Sequence, residues 1–187
     1  MMSAESEKLV LLLRGAVIAT LIILAAVLRI VPHPWNLTPI GGIALFSGAM
    51  FRNRWIAFLL PLASLFAGDV FVGFHRLMLI VYGSTAVSIV IGRWVGGNKT
   101  VARIGGAVFI GALQFFVITN FAMWAIGGFY PRTAAGLVSC FVAGVPFVWN
   151  TLAGDAMYAG IFFGGFALAE KLLPALRVEA AETLPVE

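Results

Sequence analysis

Apolar runs long enough to cross a bilayer recur in this chain from Leu9 to Leu173, with few charges inside them. A spanning helix needs roughly 20 apolar residues. Of the 187 residues, 61% are hydrophobic and 11% charged, whereas a soluble domain is about half apolar and about one quarter charged. So much apolar surface cannot be hidden from water, so lipid is the expected solvent. The expected fold class is an all-α integral membrane protein. A single polytopic domain covers residues 1–175, and residues 176–187 form a polar, flexible cytoplasmic tail.

Prolines, glycines and polar clusters divide the chain into about six transmembrane helices plus a short interfacial or re-entrant helix. The expected spans are Leu9–Val31, Thr38–Phe51, Trp55–Phe74, Leu77–Val95, Ala107–Ile126 and Thr151–Leu173. Pro39 suits a first helical turn, because it lacks only an N–H that would be unpaired there anyway. Gly96–Gly106 reads as a flexible basic loop. Thr133–Val145, between Pro131 and Pro146, is too short to span and is expected to be re-entrant.

With the N-terminus inside, Lys8, Arg14, Arg52, Arg54, Arg93, Lys99, Arg103, Lys171 and Arg177 fall on the cytoplasmic side, against Arg29, Arg76 and Arg132 outside. Nine against three gives an N-in, C-in orientation. The net charge of +4 is therefore a topology signal, and nucleic acid is not an expected partner. The expected location is a bacterial inner membrane, crossed several times.

That orientation gathers the polar groups on one side. His33, Trp35 and Asn36 lie in the first outer loop, Asp69 near the outer end of the third span, and His75 and Arg76 just after it. Asn120 and Trp124 are in the outer half of the fifth span. Tyr130 and Arg132 follow, and Asn150 and Asp155 open the sixth span. Ionisable groups at membrane depth normally face a bundle interior or a wet cavity. Shared depth makes His33, Trp35, Asn36, Asp69, His75, Asn120, Trp124, Tyr130, Arg132, Asn150 and Asp155 candidate ligand-binding residues. Structural alternatives stay open. Asp69 pairs with Arg76 and Asp155 with Arg132 or Arg29; Asn120 and Gln114 are interhelical glue; the tryptophans form an interfacial belt. Cys140 reads as a packing residue.

The sequence has no phosphate-binding loop, no HExxH and no nucleophile elbow. The cysteine and histidines have no metal-ligand spacing. An enzyme, a metal and a cofactor are therefore not expected. Gly15 and Ala19, four apart in GAVIA, form a small-residue face that either packs internally or docks a second membrane subunit.

These features resemble the substrate-binding S component of an energy-coupling factor vitamin transporter. GAVIA is similar to the alanine-rich motif by which such subunits dock on a transmembrane coupling subunit. HPWNLTPIGGIALFSGAMFRNRW, GDVFVGFH and TNFAMW with YPRT also look like a family of uncharacterised bacterial six-span membrane proteins. The resemblance implies capture of a vitamin-like small molecule, cobalamin among the candidates, in an outward-facing cavity. A coupling subunit and ATPases would be the partners. Two other classes fit the same residues: an outer-surface enzyme using Asp69, His75 and Asp155 as acid–base groups, and a scaffold or assembly protein without a cavity.

Overall fold

The computed structural model describes residues 36–172 and scattered helical positions between residues 12 and 27. From residue 36 onward five helices follow one another: α1 (Ile40–Met50), α2 (Arg54–Val72), α3 (Met78–Gly96), α4 (Val101–Ile126) and α5 (Ala134–Leu172). The last four are long and apolar enough to cross a membrane, and α1 is a shorter apolar helix. This makes the chain a multi-pass helical membrane protein.

The expectation of six spans plus a re-entrant helix is corrected to these four candidate spans and the short α1 among the described residues. Two local errors account for much of the difference. Thr133–Val145 and the sixth span are one helix of 39 residues that runs straight through Pro146. Proline is tolerated inside membrane helices, where neighbours can satisfy the backbone group it frees, so it is a poor breaker there. The loop expected over Gly96–Gly106 is already helical from Val101, with the Thr100 hydroxyl accepting the Arg103 N–H at 3.3 Å. The first expected span and the tail 176–187 lie largely outside the described residues.

Polar side chains start three of the helices. Asn53 Oδ1 accepts the Trp55 N–H at 2.9 Å, Thr100 acts as above, and Thr133 Oγ1 accepts the Gly136 N–H at 3.2 Å. Each satisfies an N–H that the first turn leaves without an intrahelical partner.

At the centre lies α1, which touches each of the other four helices. It has no polar face: Ile43, Ala44, Leu45, Phe46 and Ser47 are all at or below 1% exposure. A helix apolar all round is a buried helix. Glycines bring its neighbours to backbone contact. A Cβ at Gly48 would strike the Ile89 carbonyl of α3, and one at Gly92 of α3 would strike the Leu45 carbonyl. On the opposite flank, a Cβ at Gly42 would stand 2.9 Å from Tyr158 Cβ of α5. Phe46 fills the space further along, with ring centroids 5.6 Å from Phe162 and 5.2 Å from Phe163.

One hydrogen bond docks α1 on α2. Pro61 lies inside α2 and supplies no N–H, so the Ala57 carbonyl one turn earlier lacks its helical donor. Ser47 Oγ of α1 donates to that carbonyl at 2.9 Å. Between α3 and α4 the glue is Gln114. Its Nε2 donates to the Ser84 carbonyl at 3.1 Å and to Ser88 Oγ at 2.9 Å, and its Oε1 accepts from Ser84 Oγ at 3.0 Å.

Replacing Ser47 with Ala leaves the Ala57 carbonyl buried and unpaired, with an expected loss of about 1–3 kcal/mol. In a Pro61→Ala background the carbonyl regains its helical donor, and the same substitution is expected to cost clearly less. Thermal unfolding of the four proteins in detergent measures this coupling; equal losses in both backgrounds would refute the docking role.

Candidate functional site

Every chain reversal alternates between two ends of the bundle. The links 51–53 and 97–100 lie at one end, and 73–77 and 127–133 at the other. Residues 36–39 lead into α1 at this second end. A cavity of about 480 Å³ opens there. Its floor and walls come from the start of α1, Leu65 of α2, the first half and middle of α3, the second half of α4 and the first half and middle of α5.

The polar wall residues come in pairs, one turn apart on α3 and α5 and adjacent on α4. On α3 they are Thr85 and Ser88, on α4 Thr119 and Asn120, and on α5 Thr151 and Asp155. Phe115, Phe116 and Phe147 supply apolar walls. The hydroxyl protons are held by the preceding turn: Thr85 donates to the Val81 carbonyl at 2.9 Å, Thr119 to Phe115 at 2.7 Å and Thr151 to Phe147 at 3.0 Å. Asn120 Nδ2 donates likewise to the Phe116 carbonyl at 2.8 Å. Such back-bonding lets polar side chains sit in apolar helices.

Asp155 has a second task. The first turn of α1 follows Pro39, whose side chain caps nothing. The Asp155 carboxylate of α5 accepts the N–H groups of Gly41 and Gly42, so the cap comes from another helix. These are the positions that an N-cap side chain normally serves, and the acceptor oxygens meet the positive end of the helix dipole. A Cβ at Gly41 would collide with the carboxylate. Of the two arginines named as alternative partners, Arg132 is exposed on the 127–133 link and Arg29 lies outside the described residues.

The structure brings together five of the sequence-derived candidates. Asn36, His75, Asn120, Tyr130 and Asp155 all line the cavity. Asn36 and His75 are exposed at its rim, and Asn36 adopts a positive φ of 62°, which asparagine tolerates better than most residues.

Four candidates lie off the cavity. Asp69 is buried and accepts a hydrogen bond from Tyr82 Oη at 2.9 Å. Trp124 Nε1 donates to the Pro131 carbonyl at 3.0 Å and so ties down the 127–133 link. Arg132 is exposed on that link, and Asn150 is half-buried on α5. Depth alone had grouped these with the rest; the direction in which each side chain leaves its helix separates them. His33, Trp35 and Ala19 lie outside the described residues.

Sequence reasoning missed the wall threonines, Ser88 and the phenylalanines. Cys140, expected only to pack, also lines the cavity, and its thiol donates to the Asn120 carbonyl at 3.4 Å. The available signal was the helical spacing of lining positions, with a small polar residue among apolar ones on one face of each span: Val81, Thr85 and Ser88 on α3, then Phe115, Thr119 and Met123 on α4. Among the described residues no group of three or more His, Cys, Asp or Glu side chains has the arrangement to hold a metal ion.

The fold and its cavity define the class: a multi-pass helical membrane protein with a mixed aromatic and polar chamber at one end of the bundle. The chain belongs to DUF6580, a family of unknown function, which matches residues 11–176. No curated protein and no solved structure matches the chain.

Gly41→Ala is expected to destabilise the protein by about 1–3 kcal/mol, as overpacking does. Asp155→Ala is expected to cost about 0.5–2 kcal/mol through loss of the cap. The double variant is expected to lose less than the sum, because the added methyl no longer meets the carboxylate. Unfolding midpoints of the three variants test this, and strict additivity would remove the contact from consideration.

Proposed function

We propose that this protein is a membrane-embedded substrate-binding subunit, similar to the S components of vitamin uptake transporters, and that it captures a small molecule in the cavity above α1. The observation that carries the proposal is the chamber itself. At about 480 Å³ it lies in the range of small-molecule sites, and its aromatic walls and few fixed polar groups are the usual lining of one. The volume favours a compact ring compound over a corrin macrocycle such as cobalamin.

The distribution of charge supports an outward-facing chamber. Arg52, Arg54, Arg93, Lys99, Arg103 and Lys171 cluster at the end away from the cavity, while Arg76 and Arg132 are at the cavity end. By the positive-inside rule the cavity end faces outward, in keeping with an N-in, C-in chain in a bacterial inner membrane. A coupling subunit and ATPases would supply the energy for release inward. Gly15, which has nothing within 4 Å of a Cβ position among the described residues, offers a face for close helix approach.

The two competing readings find less support. An acid–base enzyme built on Asp69, His75 and Asp155 needs all three at one point, yet Asp69 is bonded to Tyr82 and lies off the cavity. A scaffold has no use for an internal chamber.

The purified protein in nanodiscs, melted against a panel of vitamins and related ring compounds, is expected to show stabilisation by at least one of them. Saturation at 100 times the Kd corresponds to about 2.7 kcal/mol. Mass spectrometry of the freshly extracted protein is expected to find a compound of matching mass. Absence of any shift together with an empty extract would defeat the proposal.

A further inference from the structure

We infer that the cavity selects against anions and takes a compact uncharged or cationic ring compound, presenting N–H or O–H donors to the Asp155 carboxylate and its neighbouring hydroxyls. This rests on the binding role proposed above and names the class of ligand.

The inference follows from what lines the chamber. Among the described residues no lysine or arginine lines the cavity, while Asp155 does. An anion entering would lose its water and find no opposite charge among the described lining residues, with the acceptor oxygens of Asp155 close by. An isolated charge is costly to bury without a partner. On the helical walls the hydroxyl hydrogens of Thr85, Thr119 and Thr151 are engaged by backbone carbonyls. Their oxygens are left as acceptors.

Ser88 is arranged similarly: it donates to the Ser84 carbonyl and receives the Gln114 amide. Apart from the second N–H of Asn120 and the Tyr130 hydroxyl, the walls therefore present acceptors, and the complementary ligand presents donors. Phe115, Phe116 and Phe147 add apolar ring surface against which an uncharged ring compound packs. Groups able to donate, such as His75 and Asn36, lie at the rim.

The test uses the full chain in nanodiscs and matched compounds that differ in charge: nicotinamide against nicotinate, pyridoxamine against 4-pyridoxate, and thiamine against thiamine monophosphate. Isothermal titration is expected to show the less negative member of at least one pair binding about tenfold or more tighter. Asp155→Asn is expected to erase most of that preference. Should Asp155→Asn fail to fold, Thr151→Val, one turn away on the same wall, is expected to weaken the donor compound several-fold while the melting temperature of the free protein stays close to that of the parent.

Tighter binding of the anionic members overturns the inference and leaves the transport role standing. So does a preference that survives in both variants. No binding by any of the six compounds counts against both.

Discussion

The structure depends on how a short helix is held in the middle of a membrane protein. α1 has 11 residues, about 16 Å at 1.5 Å per residue, against a hydrocarbon core of about 30 Å. Its far end reaches the exposed 51–53 link at one end of the bundle, so its start lies inside the bundle, where the unpaired N–H groups of its first turn need partners from the protein. Two other helices serve its ends. Asp155 of α5 accepts from Gly41 and Gly42 at the positive end. At the negative end the Arg93 guanidinium of α3 lies 3.4 Å from the Phe51 carbonyl and 3.5 Å from that of Arg52. Each group is of the polarity that the helix dipole favours. Glycines 41, 42, 48 and 92 then let α3 and α5 approach closely enough for those side chains to reach.

The cavity is a consequence of the same shortness. α3, α4 and α5 continue past the start of α1 toward the 73–77 and 127–133 links, but nothing of α1 continues between them. The space above its first turn is left to be lined rather than filled. Chamber and cap thus share their residues: Gly41 and Asp155 belong to both. A substitution at either position tests stability and ligand binding together. For that reason Thr151, which has no part in the cap, gives the cleaner measure of binding.

Much of this was legible in the sequence, and the gaps have physical causes. Apolar length located α2 and α3 to within a few residues, because a span must satisfy its own backbone and so must be helical. The same logic failed at Pro146, where a lost backbone donor was read as a break although a 39-residue helix absorbs it. The site was half legible. Depth follows from position in a span, so Asn36, His75, Asn120, Tyr130 and Asp155 were found. Azimuth does not, so Asp69 and Trp124, at similar depth, turned out to serve Tyr82 and Pro131. Asp155's role as a cap for another helix was beyond reach from sequence, since it links positions more than a hundred residues apart. The clue was present in Pro39-Ile40-Gly41-Gly42: a helix start with no capping side chain of its own and a glycine pair where another group had to come close.

The cap also explains how a carboxylate can line a membrane-embedded chamber when no ligand is there. An isolated carboxylate at this depth would cost several kcal/mol. Two backbone N–H groups and the end of a helix dipole offset part of that cost in the protein's own structure. A compensating lysine or arginine would have stabilised the carboxylate equally well, but it would also have filled the chamber and drawn in anions. Compensation by backbone occupies no volume on the cavity side and leaves the outer lone pairs of Asp155 free of a competing charge. Fold stability and a polar acceptor lining the chamber are then compatible, provided position 41 carries no side chain. Gly41 is thus set by the carboxylate opposite it, and the size of the chamber by where α1 begins.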